Sequence, residues 1–173
     1  SLTFSAIAPG NGLSSMSTNG SFSYTPNGAY AYLALGETAT DSFTYLVSDG
    51  RCDVIGKVVI TIDGSNDCPA VTDDSFYIEQ DTGGTGNVLS NDSDPEGSPL
   101  SANLSSAPVG AITFQADGAF SYNSNGNFGD LASGETVTDN FTYIVTDGTC
   151  TSLGTVVLIV SGGNDCPVGA ADS

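Results

Sequence analysis

The sequence predicts an all-β protein of tandem Greek-key β-sandwiches, with about seven strands in a complete repeat. Residues 33–69 and 131–167 match at an offset of 98 residues, with 22 of 37 aligned positions identical. Apolar and polar residues alternate between turn residues, and no stretch shows a sustained helical period. A period of about one hundred residues is the size of a small domain, so each repeat is expected to fold around its own core.

The second repeat is expected to span residues 70–167 and to be complete. Its predicted strands are 75–79, 85–90, 99–104, 111–115, 119–122, 140–146 and 155–160. The clearest strand carries Phe141, Tyr143 and Val145 on one face. The turn Asp147-Gly148 and an apolar run follow it, which indicates a hairpin at the centre of the core.

The first repeat is expected to span residues 1–69 and to lack its first two strands. Leu2 aligns with Leu100 at the same offset, so nothing in the first repeat corresponds to residues 71–98. A sandwich without these strands would expose a core face and a strand edge. Upstream residues of a longer protein, or a strand from a neighbouring molecule, could cover them. Residues 168–173 are expected to begin a third repeat.

The charge of the chain excludes several functions. There are 20 acidic and 2 basic residues, no histidine, and a net charge of −18. Nucleic acid and anionic membranes would be repelled. No histidine base is available, and no catalytic residues are predicted. Bound calcium would relieve the self-repulsion, because it binds carboxylate and carbonyl oxygens. An acidic surface for solubility or salt tolerance is the alternative.

Three acidic groups lie at the predicted ends of domains. They are Gly36-Glu37, the linker 63–67 and the stretch 91–94. Such side chains on turns can converge on one calcium ion. Asp and Asn also form turns without any ligand, so a single group would be weak evidence.

The order of these motifs resembles the cadherin-like and VCBS-type repeats of bacterial adhesins. An acidic loop with Glu37 precedes the aromatic strand Phe43-Thr44-Tyr45, which leads to Asp49, and the linker 63–69 follows. The resemblance implies Ig-like or cadherin-like sandwiches with calcium at each junction. One implied site comprises Glu37, Asp63, Asn66, Asp67, Asp92, Asp94 and Asp147. A second, half-built site comprises Glu79, Glu135, Asn164 and Asp165.

The four cysteines, two per repeat, are interpreted as disulfide partners, since no histidine could complete a Cys/His zinc site or activate a thiol. An extended strand of roughly 40 Å separates Cys52 from Cys68, too far for a bond. Cys68 enters the top of the second repeat, where the turn with Cys150 also lies, and we predict that these two pair. By periodicity, Cys52 and Cys166 would pair with neighbouring repeats. Disulfides imply an oxidising, extracellular setting.

We therefore expect a non-catalytic structural repeat of a secreted or cell-surface adhesin stalk or extracellular fibre. Its partners would be neighbouring repeats or copies of the same protein, and host or matrix glycans are a further option. One alternative is a filament subunit assembled end to end by strand complementation. Another is a carbohydrate-binding module, for which the candidate aromatic residues are Tyr24, Tyr30, Tyr32 and Phe128, although aromatic residues in a sandwich more often belong to its core. A hydrolase is the least favoured function.

Overall fold

A computed structural model describes residues 1–8 and 10–163, and the chain divides into two compact units. Unit 1 is Ser1–Asp67, and unit 2 begins at Cys68. The described residues form β-strands and no α-helix, so the predicted all-β class is confirmed. The strands are β1 Thr3–Ala8, β2 Leu13–Met16, β3 Phe22–Thr25, β4 Thr38–Ser48, β5 Asp53–Asp63, β6 Asp74–Glu79, β7 Gly84–Asn87, β8 Ser101–Ser106, β9 Ala111–Phe114, β10 Ala119–Asn123, β11 Thr136–Thr146 and β12 Thr151–Ser161.

Unit 2 is a β-sandwich of two sheets. One sheet has the order β6-β12-β11-β8, and the other has the order β7-β10-β9. All neighbouring strands are antiparallel except β6, which runs parallel to β12. Since β6 and β7 are consecutive along the chain but lie in different sheets, the connection between them crosses from one sheet to the other. This arrangement matches the Greek-key sandwich that the sequence predicts.

The core of unit 2 lies between the two sheets and follows from the alternation in β11 and β12. Phe141, Tyr143 and Val145 on β11 are fully buried, as are their counterparts on β12. Those counterparts are Val156, Leu158 and Val160. Phe120 of the opposite sheet meets Phe141 edge to face, with ring centroids 5.2 Å apart. Burial of such side chains contributes about 1.5–3 kcal/mol each, so the six from this hairpin contribute strongly to the stability of unit 2.

Several strands differ in length from the predicted ones. The β11–β12 ladder runs without interruption from Thr136 opposite Ser161 to Thr146 opposite Thr151. The prediction started this strand at Asn140, but it begins at Thr136, and the threonines that precede Asn140 suit a strand well. Strand β7 is shorter than predicted and ends at Asn87. The side chain of Asn87 then accepts a hydrogen bond from the Leu89 N–H (2.8 Å), which turns the chain out of the strand.

Unit 1 has the same central hairpin with fewer strands around it. Strands β4 and β5 pair from Thr38 opposite Asp63 to Ser48 opposite Asp53, and β1 pairs with the other side of β4. A separate hairpin is formed by β2 and β3. Phe43 is buried in unit 1, as its counterpart in unit 2 is, but the inward side chains of β5 are only half-buried. Among the described residues, β5 is an edge strand, whereas β12 has a strand on each side.

Candidate metal and disulfide sites

Cys68 and Cys150 are joined by a disulfide, with their Cα atoms 5.4 Å apart. Cys68 is the first residue of unit 2, and Cys150 lies in the turn between β11 and β12. The Ser152 hydroxyl also donates a hydrogen bond to the Pro69 carbonyl (2.7 Å). The start of unit 2 is therefore tied to the tip of its central hairpin. Cys52 is an exposed free cysteine, and Cys166 lies outside the described residues.

The predicted ligand Asp147 shapes the turn that carries Cys150. Its Oδ1 accepts hydrogen bonds from the N–H groups of Thr149 (2.6 Å) and Cys150 (2.8 Å). Its Oδ2 lies 3.4 Å from the Cys150 sulfur, a contact and not a hydrogen bond, because a disulfide sulfur carries no proton. Asp49 makes the same turn in unit 1, and the amides of Cys52 and Arg51 hold its pKa below the ordinary value. Asp147 therefore holds together the turn that carries Cys150.

Asp92 and Asp74 share the hydroxyl of Tyr143. The Oδ2 atom of each carboxylate lies 3.2 Å from the Tyr143 hydroxyl oxygen. Asp92 also accepts the N–H of Thr72 (2.8 Å), so both of its oxygens have partners. Burial, together with the negative charge of Asp92, raises the pKa of Asp74, and the same burial and carboxylates raise the pKa of Tyr143. Sequence reasoning missed Asp74, whose signal was its place at the start of a strand.

Asp94 is the predicted ligand whose environment best fits a cation. Its Oδ1 accepts the N–H groups of Glu96 (3.1 Å) and Ser98 (2.9 Å), which orients the carboxylate. Its Oδ2 is buried and has no hydrogen-bond partner among the described residues. A buried carboxylate oxygen without a partner is costly, and a hard cation such as calcium would satisfy it. Glu96 is half-buried in the same loop and was not among the predicted ligands. The alternating acidic residues at positions 92, 94 and 96 could have indicated it.

The predicted ligands Glu37 and Glu135 make matching turns. The Oε2 of Glu37 accepts the Ala34 N–H (3.1 Å), and that of Glu135 accepts the Ala132 N–H (3.0 Å). Both glutamates are exposed. In each case the second carboxylate oxygen is left for another partner. The repetition shows that this loop is a local structure encoded in both repeats.

The other predicted ligands lie at the ends of strands or in the linker. Asp63 and Glu79 are exposed at the last positions of β5 and β6, and the Asn66 side chain donates to the Asp67 carbonyl (3.0 Å). Asn164 and Asp165 lie outside the described residues. Within the part of the chain that the structure describes, no three acidic or cysteine side chains are gathered in a way that would hold a metal.

A buried tyrosine–aspartate pair recurs in both units and was not predicted. Asp139 accepts four hydrogen bonds, from the N–H groups of Val109, Gly110 and Asn140 (each 2.9 Å) and from the Tyr122 hydroxyl (2.8 Å). Burial opposes the charge of Asp139, but these donors outweigh it and lower its pKa. Burial and Asp139 together raise the pKa of Tyr122.

In unit 1, Asp41 repeats this arrangement. It accepts the Gly12 N–H (3.1 Å), the Tyr24 hydroxyl (2.7 Å) and the Ser42 N–H (2.7 Å), and these donors, led by Gly12, lower its pKa. The repeated pair therefore has a structural function in each unit.

The aromatic residues considered for sugar binding do not form a surface platform. Tyr24 is held by Asp41, and Tyr30 is buried in unit 1. Phe128 packs against the core of unit 2, and Tyr32 is the exposed member of the set. Three of these four side chains therefore serve the interior of their own unit, which is the core role that the sequence favoured for aromatic residues in a sandwich.

A seven-stranded sandwich with a parallel first strand, an acidic loop and an aromatic central hairpin defines a class of cadherin-like domains. The sequence model of the bacterial cadherin-like domain family matches residues 66–162, and that of the bacterial Ig domain matches residues 1–61. The chain belongs to the bacterial cadherin-like domain family, which confirms the predicted resemblance. No curated protein matches the sequence.

Solved structures with low sequence identity are similar to this chain to different degrees. The human desmocollin-1 ectodomain has a TM-score of 0.54 and 12% identity, over 95% of this chain and 34% of its own. Human protocadherin-24 EC1-2 has a TM-score of 0.49 and 15% identity, over 96% of this chain and 83% of its own. An endo-fucoidan hydrolase of glycoside hydrolase family 107 scores 0.40 at 18% identity, over 94% of this chain and 24% of its own.

The chain thus spans about a quarter of the fucoidan hydrolase and a third of desmocollin-1. At these identities the likeness to desmocollin-1 shows the fold alone. In the described residues no helix is long and apolar enough to cross a membrane.

Proposed function

We propose that this chain is a non-catalytic, load-bearing repeat of an extracellular stalk or fibre. Domains of this family are typically extracellular and non-catalytic, and they commonly associate with neighbouring repeats. The observation that carries the proposal is the position of the Cys68–Cys150 disulfide at the entry of unit 2. It determines which part of the domain can extend when the chain is pulled.

Tension that reaches unit 2 along the chain meets Cys68 before any strand of that unit. The disulfide transfers the tension to Cys150, and β12 then carries it from Thr151 to Ser161. Strands β6 to β11 lie within the loop of 82 residues that the disulfide closes, so they cannot be extended while it is intact. Only β12, which is held by a ladder on each side, is under load. This arrangement suits a domain that must stay short under force.

Force spectroscopy of the whole chain, held at its two ends, tests this function. The 82 residues closed by the disulfide, at ~3.6 Å each, correspond to roughly 290 Å of chain. We expect unfolding of unit 2 to release this length only after reduction, or in the double variant C68S/C150S. The single variant C52S retains the Cys68–Cys150 disulfide and is the control. Equal length gains in oxidised and reduced protein would contradict the load-bearing proposal.

We further propose that calcium binds the acidic loops named above, since domains of this family generally bind calcium. Glu37, Asp63, Asn66 and Asp67 are the ligands proposed in unit 1, and Asp92, Asp94 and Asp147 those in unit 2. Glu79, Glu135, Asn164 and Asp165 are the ligands proposed for a second site. The buried, unpartnered Oδ2 of Asp94 supports this proposal most directly. When bound, calcium would neutralise carboxylates that otherwise repel one another.

A thermal melt with calcium and then with excess chelator tests the metal proposal. Calcium at a hundred times its Kd should stabilise the native state by roughly 2.7 kcal/mol. In D94N the amide oxygen can still accept the two loop N–H groups, so the loss of calcium stabilisation would reflect the missing carboxylate. D117N is the control, because Asp117 is exposed in the β9–β10 turn. An unchanged midpoint with calcium would refute the proposal.

Assembly by strand complementation is a second candidate, favoured by one observation in unit 1. The inward side chains of β5 and the edge of that strand are uncovered in the described structure. Copies or repeats of the protein could join through this face.

A further inference from the structure

Unit 1 presents an apolar face that its counterpart in unit 2 does not. Phe22 is 48% exposed, whereas the aligned Phe120 is 3% exposed. The inward residues of β5 are half-buried, whereas the aligned residues of β12 are fully buried. We call this surface, formed by Phe22, Tyr45 and the β5 residues Val58, Ile60 and Ile62, the open face of unit 1. Among the described residues the edge of β5 beside this face is unpaired, and an open strand edge next to an apolar face can receive an extended segment.

Unit 2 shows what covers the same surface. Residues 68–98 lie over it, with β6 pairing in parallel with β12 from Asp74 opposite Val156 to Glu79 opposite Ser161. Phe76 of this segment meets Phe120 edge to face, with centroids 5.0 Å apart. Ile78 is 2% exposed in the core. The repeat offset places Val58, Ile60 and Ile62 where the buried positions of β12 receive this strand.

The hydroxyl of Tyr45 gives a second indication of what the open face lacks. In unit 2 the aligned Tyr143 hydroxyl contacts Asp74 and Asp92, both of which belong to the covering segment. The Tyr45 hydroxyl has no hydrogen-bond partner among the described residues. A segment with carboxylates at these two positions would supply one.

The open face therefore specifies its partner in some detail. We propose that it binds a segment of the same kind as residues 68–98, supplied by another repeat of this type, with its first strand parallel to β5. This assignment rests on the proposed function as one repeat of an array. It adds the strand direction, the register and a covalent bond to Cys52.

Cys52 provides the covalent part of the site. It is exposed and free, and it aligns with Cys150, which is bonded to Cys68 at the start of the covering segment. A segment bound in the register given above would bring its own leading cysteine to Cys52.

Charge supports the same partner. The chain has two basic residues, Arg51 and Lys57, and both are exposed on the β4–β5 hairpin beside the open edge. Residues 70–98 contain seven acidic residues and no basic ones. In unit 2 the N–H of Thr155, which aligns with Lys57, donates to Asp73 of the covering segment (2.9 Å). Lys57 would add an opposite charge at that point.

The covalent step is a thiol–disulfide exchange. A peptide of residues 66–98 is prepared with Cys68 as a mixed disulfide with glutathione. The Cys52 thiolate attacks the Cys68 sulfur, the new bond joins Cys52 to Cys68, and glutathione leaves as a thiolate that takes up a proton. No other oxidant is needed.

The experiment mixes the full chain with this peptide and measures glutathione release and the site of attachment by mass spectrometry. Binding raises the local concentration of the peptide cysteine, so we expect attachment at Cys52 about tenfold or more faster than for the control peptide F76S/I78S. Hydrogen exchange at residues 58–62 should slow in the same complex. The protein variant C52S lacks this thiol, so the fast glutathione release assigned to Cys52 should be absent.

Equal rates for the two peptides, attachment mainly at Cys166, or attachment without protection of β5 would each overturn the proposal. A chain that dimerises through β5 and is not dissociated by the peptide would overturn it as well. The outcomes of the calcium and force experiments do not depend on Cys52, so failure here is distinguishable from failure of the proposed function.

Discussion

Replacement of Asp139 by asparagine should destabilise unit 2 much more than its conservative size suggests. The carboxylate is 4% exposed and receives four hydrogen bonds, two at each oxygen. In asparagine one of these oxygens becomes an NH₂ group, which would face two backbone N–H donors in one orientation and, in the other, the Gly110 N–H together with the Tyr122 hydroxyl. Each hydrogen bond to a charged group contributes about 1.5–3 kcal/mol, so we expect a loss of roughly 3 kcal/mol. This would be a large share of the stability of a domain.

The stabilisation by Asp139 should also depend on pH with a defined sign. Its pKa in the folded state lies below the ordinary value of 3.8. The contribution is therefore complete above that ordinary value and is lost as the pH falls through the folded-state pKa. The variant D139N lacks this titration, so the difference between the two proteins should shrink in acid.

Urea unfolding, followed by hydrogen exchange of the 109–110 and 139–145 amides, measures the effect in unit 2 alone. D117N is the matched control, because it makes the same chemical change at an exposed aspartate that accepts a hydrogen bond from the Ala119 N–H. We expect a change within about 0.5 kcal/mol for this control. A D139N effect no larger than that of D117N would refute the hydrogen-bond reasoning.

Three further predictions concern the buried Asp74, the Cys68–Cys150 disulfide and the packing of the two central hairpins. D74N should raise the midpoint of thermal unfolding at pH 7, because burial and Asp92 raise the pKa of Asp74 above its ordinary value and make its ionised form unfavourable. The gain in midpoint should fade as the pH falls through that raised pKa. A gain that grows in acid would contradict the assignment. Reduction of the disulfide, or C68S/C150S, should lower the free energy of unfolding of unit 2 by roughly 4.5 kcal/mol on the chain-entropy estimate for a closed loop of this length, measured by denaturant titration with C52S as control. L158A, at a fully buried site, should lower the free energy of unfolding of unit 2 by about 3 kcal/mol. The aligned I60A should lower that of unit 1 clearly less, because Ile60 is half-buried. Equal losses measured by hydrogen exchange would show that unit 1 is more fully packed than the structure indicates.

The central hairpins could be predicted from the sequence because their alternation is strong and is present twice. The same alternation contained a signal that the sequence analysis missed. Asp139 stands on the inward face of β11 with Phe141, Tyr143 and Val145, so a buried carboxylate was implied by its position. Its partner Tyr122 and the loop amides come from other strands, and only the folded structure brings them together.

The candidate calcium ligands were harder to predict for a different reason. A short run of Asp, Asn or Glu can bind a metal or close a turn, and both require the same oxygen atoms. The structure shows Asp147 and Glu135 in turns of their own, whereas one oxygen of Asp94 is buried without a partner. Local sequence does not separate these cases, because the difference depends on which N–H groups the fold places nearby.

The near-identity of the two central hairpins has a consequence for folding. The β4–β5 and β11–β12 ladders have the same length and register, so during refolding the β4–β5 hairpin of one molecule could combine with the segment that begins at Cys68 of another molecule. Misassembly between similar neighbouring domains is a known failure of repeat proteins. The wrong combination would place Cys68 of one molecule beside Cys52 of another, and an oxidant would then trap it. Slow oxidation with a thiol–disulfide shuffling agent should therefore give a higher yield of correctly paired protein than rapid oxidation, and the Cys52–Cys68 species would be the measurable by-product of kinetic competition.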